Sequence, residues 1–281
     1  MALPSYAGPL ERTWYYTFRI ICAAVFIFLI APILIIVPLS FNAEPYFSFT
    51  QGMLTLDPDA FSLRWYETFL TSDRWINSIQ NSVIVAFFAT FFSAVLGTLA
   101  ALGLSRSELP FKGVIMGLLI SPMIVPLIIA AAGMFFFYSK LGISQTYVGL
   151  IMAHTALGTP FVVITVTATL SNFDHTLVKA GASLGATPTY TFFKVTMPLI
   201  MTGIISGALF AMMTSFDEVI VAIFIAGVEQ RTIPLQMWAG IREQISPTIL
   251  AVATILITFS IIMLSTVEIL RRRSDRIRGI S

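Results

Sequence analysis

At 281 residues, with 57% hydrophobic side chains, 11% charged ones and a mean hydropathy of +0.89, the chain has too few charges to cover a soluble globule, where about a quarter of residues are charged. Its solvent is a lipid bilayer. The formal net charge of +2 says little about partners, no nucleic-acid partner is expected, and the single cysteine, Cys22, excludes an intrachain disulfide.

Lipid offers a backbone no hydrogen-bond partners, so apolar runs of about 20 residues read as spanning helices. Six such runs occur, at roughly Phe18 to Leu39, Val83 to Leu104, Val114 to Phe137, Tyr147 to Leu170, Leu199 to Phe224 and Thr248 to Leu270. The fold class is therefore an all-α membrane protein with six transmembrane helices in one membrane domain, residues 1–281. The first run is longer than a signal-peptide core and continues into Pro38, Phe41 and Asn42, which reads as an uncleaved anchor. Lys and Arg resist translocation, and with the N-terminus inside, the basic residues divide 11 against 5 in favour of the inner face. Both termini and the segment from Ser171 to Pro198 are thus expected to be cytoplasmic, with Arg271 to Arg278 as a topology anchor.

After the first span, the outer loop from Ser40 to about Ser82 has turn residues and then Trp65, Tyr66, Phe69, Trp75 and Ile76, which fit a short amphipathic helix at the membrane interface. In the third span Pro122 and Pro126 each remove a backbone donor and predict a bend. Gly113 with Gly117, and Gly203 with Gly207 in the fifth span, are small pairs one turn apart that predict close helix packing. His154 in the fourth span either hydrogen-bonds a neighbouring helix or lines a path. With no second His or Cys at ligand spacing, no metal site is expected.

The Ser171 to Pro198 segment interrupts this apolar chain with a polar stretch too long for a simple connector. Asp174 can cap a helix from about His175 to Leu184, which Gly185 would stop in a left-handed conformation. Thr187 then caps, and Pro188 starts, a second short helix toward Lys194. The result is a compact knob of about 25 residues.

Further on, Asp217 and Glu218 lie inside an apolar segment from Leu199 to Gly227. As one helix its 29 residues would rise about 43 Å at 1.5 Å each, against a hydrocarbon core of about 30 Å. A helix end or break near the acids is predicted, in the outer half of the membrane. An intramembrane acid points to transport unless it simply sits at the interface. Phe216 and Met213 stand beside the pair. The sixth span opens with Ser246 and Pro247, an N-cap and first-turn combination.

Lys179-Ala180-Gly181, three residues, Gly185, nine residues, then Val195-Thr196-Met197-Pro198 resembles the loop of ABC-importer permeases that reads Glu-Ala-Ala, three residues, Gly, nine residues, Ile-x-Leu-Pro. Lys179 departs from it, standing where the family has Glu. The stretch Ser215 to Phe224, followed by Thr232-Ile233-Pro234-Leu235 and Ile245-Ser246-Pro247, resembles the permeases of spermidine/putrescine-type importers. That likeness covers nearly the whole chain, including the layout around Asn81-Ser82 and the His154 region.

The resemblance implies a type I importer permease, N-in and C-in, in a bacterial inner membrane. Its partners would be two ATP-binding cassette subunits, a paralogous permease forming a heterodimer, and a periplasmic substrate-binding protein. It further implies that Lys179, Ala180, Gly181, Gly185 and Pro198 couple to the ATPase. Asp217, Glu218, Phe216, Met213 and His154 would line the path of a small cation such as putrescine or spermidine. No phosphate-cradling GxxxxGK[ST] occurs, so ATP and magnesium are expected on the partners, with no cofactor and no catalytic residue in this chain. Two alternatives stay open: the same transporter class carrying an amino-acid derivative such as 4-aminobutyrate or an opine-like solute, or a secondary cation carrier with Asp217, Glu218 and His154 as a proton relay.

Overall fold

The computed structural model describes residues 8–105, 109–171, 173–243 and 246–277. Arg106, one of the basic residues counted for the inner face, Asn172, Ile245 and Arg278 lie outside these residues, as do the side chains of Arg271, Arg273 and Arg276. In chain order the helices are α1 (Pro9–Leu39), α2 (Gln51–Leu54), α3 (Arg64–Thr71), α4 (Asp73–Leu104), α5 (Lys112–Ile124), α6 (Leu127–Lys140) and α7 (Tyr147–Ser171). They continue with α8 (Thr176–Ser183), α9 (Pro188–Thr191), α10 (Met197–Asp217), α11 (Ile220–Ile225), α12 (Ile233–Glu243) and α13 (Thr248–Ile277). Among the described residues, five helical stretches are long and apolar enough to cross a membrane, and α5 with α6 makes a sixth if that bent pair is one span.

The chain divides into two compact units, one of residues 1–70 with 244–257, the other of residues 71–243 with 258–281. In the first unit the loop after α1 folds on Asn42. Its side-chain amide donates to the carbonyls of Tyr46 and Ser48 at 3.2 and 3.0 Å, and its own carbonyl accepts the Trp65 indole N–H at 2.8 Å. Tyr66 and Ser40 share a hydroxyl contact of 2.6 Å. The amphipathic helix expected here ends at Thr71, and Trp75 and Ile76 belong to α4, because the chain leaves helical geometry at Ser72.

The second unit is built on α7, which packs along both α4 and α10. Glycines set that approach. A Cβ on Gly97 would stand 2.6 Å from Val162 Cβ, and one on Gly158 would stand 2.7 Å from Ser93 Oγ and 2.9 Å from Ala211 Cβ. Gly203 and Gly207 face Thr165, Thr169 and Val162 of α7, so that pair does the packing its spacing predicts. Gly113 and Gly117 do not, since an added Cβ at either would meet nothing within 4 Å.

The third run breaks. Pro126 forces the preceding Val125 out of helical geometry, to φ −67° and ψ 135°, so α5 stops and α6 leaves at 102°. Pro122 stays inside α5.

Candidate functional site

The knob follows its local signals closely. The Thr176 hydroxyl bonds the Asp174 carboxylate, and Asp174 Oδ1 accepts the Thr176 backbone N–H at 2.9 Å; these two bonds, the hydroxyl's first, hold the exposed carboxyl below the usual carboxylate range. At the other end of α8, Gly185 takes φ +79°, where an L side chain is strained. Its N–H donates to Ala182 O and the Ala186 N–H to Gly181 O, each at 3.0 Å, the paired closure of a helix ending in a left-handed residue. Thr187 Oγ1 accepts the Tyr190 N–H at 3.3 Å and Pro188 opens α9, as expected.

The second helix of the knob differs from expectation because it does not end. It passes through a π-helical turn, Phe192–Thr196, into α10, giving one helical run over Pro188–Asp217. Pro198 explains the wide turn: it has no N–H, and its ring would press on the carbonyl four residues back, so the hydrogen bonding resets just before it.

Of the five residues singled out here, Lys179, Ala180, Gly185 and Pro198 are exposed. Gly181 is half-buried and faces inward: a Cβ on it would lie 3.2 Å from Thr191 Oγ1, so its smallness closes the knob on itself. Leu184 at 88%, Tyr190 at 59% and Phe193 at 56% exposure give the knob an apolar outer surface that motif reading did not single out. Their signal is apolar bulk beside a left-handed stop.

At the far end of α10 the chain breaks at the acidic pair. Glu218 is extended, with φ −74° and ψ 119°, and α11 restarts at Ile220. The two acids differ sharply. Asp217 is exposed, whereas Glu218 is 7% exposed and its Oε1 accepts the Val221 backbone N–H at 2.8 Å, which caps α11. Phe216 is buried with its ring 4.8 Å from that of Phe259, and Met213, one turn earlier, is half-buried.

His154 is 1% exposed, and its Nδ1 lies 2.8 Å from Ser215 Oγ. That contact ties α7 to α10 one turn before the break, as a helix-bridging histidine would. Nε2 is buried without a hydrogen-bond partner. The structure thus brings Phe216, Asp217 and Glu218 together at one end of α10 with His154 beside Ser215, and leaves Ala180, Gly181 and Gly185 around its other end.

Sequence reading gave Asn81 no role, yet it organises one end of this unit. Its Nδ2 donates to the carbonyls of Glu229 and Arg231 at 2.7 and 2.9 Å, and its Oδ1 accepts the Tyr147 hydroxyl at 2.6 Å. Next to it, Ser82 Oγ accepts the Ile233 N–H at 2.8 Å. The loop between α11 and α12 is thereby stapled to α4 and α7. An amide just ahead of an apolar run was the available signal; its partners, 66 to 150 residues away, were not.

Three comparisons place this geometry. Residues 93–276 match the family described as "Binding-protein-dependent transport system inner membrane component". The chain is 30% identical to the spermidine/putrescine transport system permease protein PotC of Haemophilus influenzae, over 89% of this chain and 95% of that one. It is also 30% identical to the putrescine transport system permease protein PotI of Escherichia coli K12, over 83% and 82%. Among solved structures, a bacterial ABC transporter that imports the acidic polysaccharide alginate superposes with TM-score 0.71 at 16% identity, covering 94% of this chain and 99% of that one. At that identity the last likeness speaks for the fold alone, a type I importer permease. The multi-pass apolar helices, the permease fold and the matched span together make this chain a member of the binding-protein-dependent transport system inner membrane component family, which are transporter subunits and not enzymes.

Proposed function

We propose that this chain is a permease subunit of a bacterial inner-membrane ABC importer for putrescine or spermidine, working with two ATP-binding subunits, a paralogous permease and a periplasmic binding protein. The observation that carries the reading is near full-length similarity to permeases named for those two solutes. The N-terminus and the knob then face the cytoplasm, and the acidic break lies toward the outside.

The geometry supports a division of labour. The knob and the break are the two ends of one helical run of 30 residues, about 45 Å long. A push on the exposed Ala180 to Gly185 surface is carried along a rigid rod to the point where that rod ends. There Asp217 offers an exposed carboxylate to a passing ammonium group, and Glu218 holds the break open by capping α11. The His154 to Ser215 contact keeps the rod registered on α7. In this reading His154 and Glu218 position the pathway and Asp217 touches the solute. Lys179, exposed on the knob, presents a cation to the ATPase subunit where the family has an acid.

The test is putrescine uptake into proteoliposomes holding the whole importer. Uptake is expected to need ATP at the knob side and binding protein on the opposite side, and to survive collapse of the proton gradient. Uptake that continues without ATP and stops with a protonophore would establish a secondary carrier instead.

A further inference from the structure

A second polar site lies away from the acidic break. A cavity of about 400 Å³ opens between the first turns of α4, the loop after α11 and the start of α12. Seven of its eight lining side chains are polar or charged, Val228 being the exception. Arg74 and Asn77 come from α4, Glu229 and Arg231 from the loop, and Gln236 from α12.

The cavity is preformed, because Asn81 at its base holds the carbonyls of both Glu229 and Arg231. Its charges are nevertheless unspent. Among the described residues, no ion pair joins Arg74 or Arg231 to Glu229 in the same cavity. The charge pairing of this surface is incomplete in the free chain.

We infer that this cavity is a docking socket for an acidic side chain of the external binding protein, an assignment that rests on the importer reading above. Two guanidiniums against one carboxylate repel a cationic solute, so the cavity is not a station on its path. A guanidinium pair suits a carboxylate, which each fork can grip through two parallel N–H groups. The position fits as well: the socket sits at the outer end of α4, on the loop that follows the acidic break, where a docked protein would stand over the entrance. A phospholipid headgroup is the other anion within reach, but its acyl chains need an apolar wall, and Val228 is the lone apolar side chain lining this cavity.

The experiment measures affinity of the complete importer, in nanodiscs of zwitterionic lipid and in nanodiscs with anionic phospholipid added, for its solute-loaded binding protein at two salt concentrations. Arg74→Gln with Arg231→Gln is expected to weaken binding at least tenfold and flatten its salt dependence. The corresponding double Lys variant should recover most of the affinity, and basal ATP hydrolysis without binding protein should stay unchanged. Affinity within twofold of wild type in both the double Gln and a double Glu variant overturns the socket. So does a defect that appears only when anionic phospholipid is present, which would assign the cavity to a headgroup. If binding-protein-dependent uptake is normal while the variants bind normally, the socket alone fails. If the wild-type importer transports without any binding protein, the importer reading fails with it.

Discussion

Asparagine at Asp217 and glutamine or alanine at Glu218 separate the two acids, which adjacent sequence positions cannot. The Glu218 carboxylate is buried and accepts the Val221 backbone N–H at 2.8 Å. Hydrogen bonds to charged acceptors contribute about 1.5–3 kcal/mol and neutral ones about 0.5–1.5, so Glu218→Gln, which keeps an acceptor oxygen, should cost about 1 kcal/mol of stability. Glu218→Ala leaves a buried N–H without its partner and should cost about 1–3 kcal/mol. Asp217 is exposed, and Asp217→Asn should change stability by no more than about 0.5 kcal/mol. The same change removes a charge-assisted contact with an ammonium group, and at about 1.4 kcal/mol per tenfold the loss in uptake efficiency should be about tenfold or more. Thermal unfolding of the purified chain in detergent reads the first effect, and putrescine uptake by the reconstituted importer reads the second. Wild-type uptake in Asp217→Asn, together with an uptake defect in a fully stable Glu218→Gln, would reverse the two roles and refute the argument.

Two further outcomes follow from the packing. Gly185→Val should strain the φ +79° stop by about 1–2 kcal/mol and lower uptake per ATP hydrolysed, whereas Gly185→Asn, which tolerates that region, should stay coupled; the uptake-to-hydrolysis ratio distinguishes them. Gly158→Leu drives a side chain into Ser93 and Ala211 where α4, α7 and α10 meet, and should destabilise the chain by about 1–3 kcal/mol or more, visible as a lower unfolding temperature and poorer recovery of the folded protein.

The parts that were legible in the sequence share a local cause. Six apolar runs follow from the energy of an unpaired backbone group in lipid, and the knob follows from Asp174, Gly185, Thr187 and Pro188, each acting on neighbours within one helical turn. The break at the acidic pair was legible because an apolar segment longer than the bilayer core must end somewhere, and two carboxylates mark where. Pro126 marked the bend in the third run, though its angle of 102° depends on how the chain repacks after the break.

What only the tertiary structure decided involves partners far apart along the chain. Asn81 reaches Glu229 and Arg231, and His154 reaches Ser215, and no pattern in either segment names the other. The pair Gly113 and Gly117 shows the same limit from the other side: its spacing equals that of Gly203 and Gly207, yet only the latter faces a helix of this chain. The division between Asp217 and Glu218 is of this kind as well. Both residues are equally acidic and equally placed in sequence, and what separates them is which one the restarting helix captures as its cap. Local hydrogen bonding and the cost of lipid exposure are written in consecutive residues, whereas burial and long-range pairing exist only once the helices have packed.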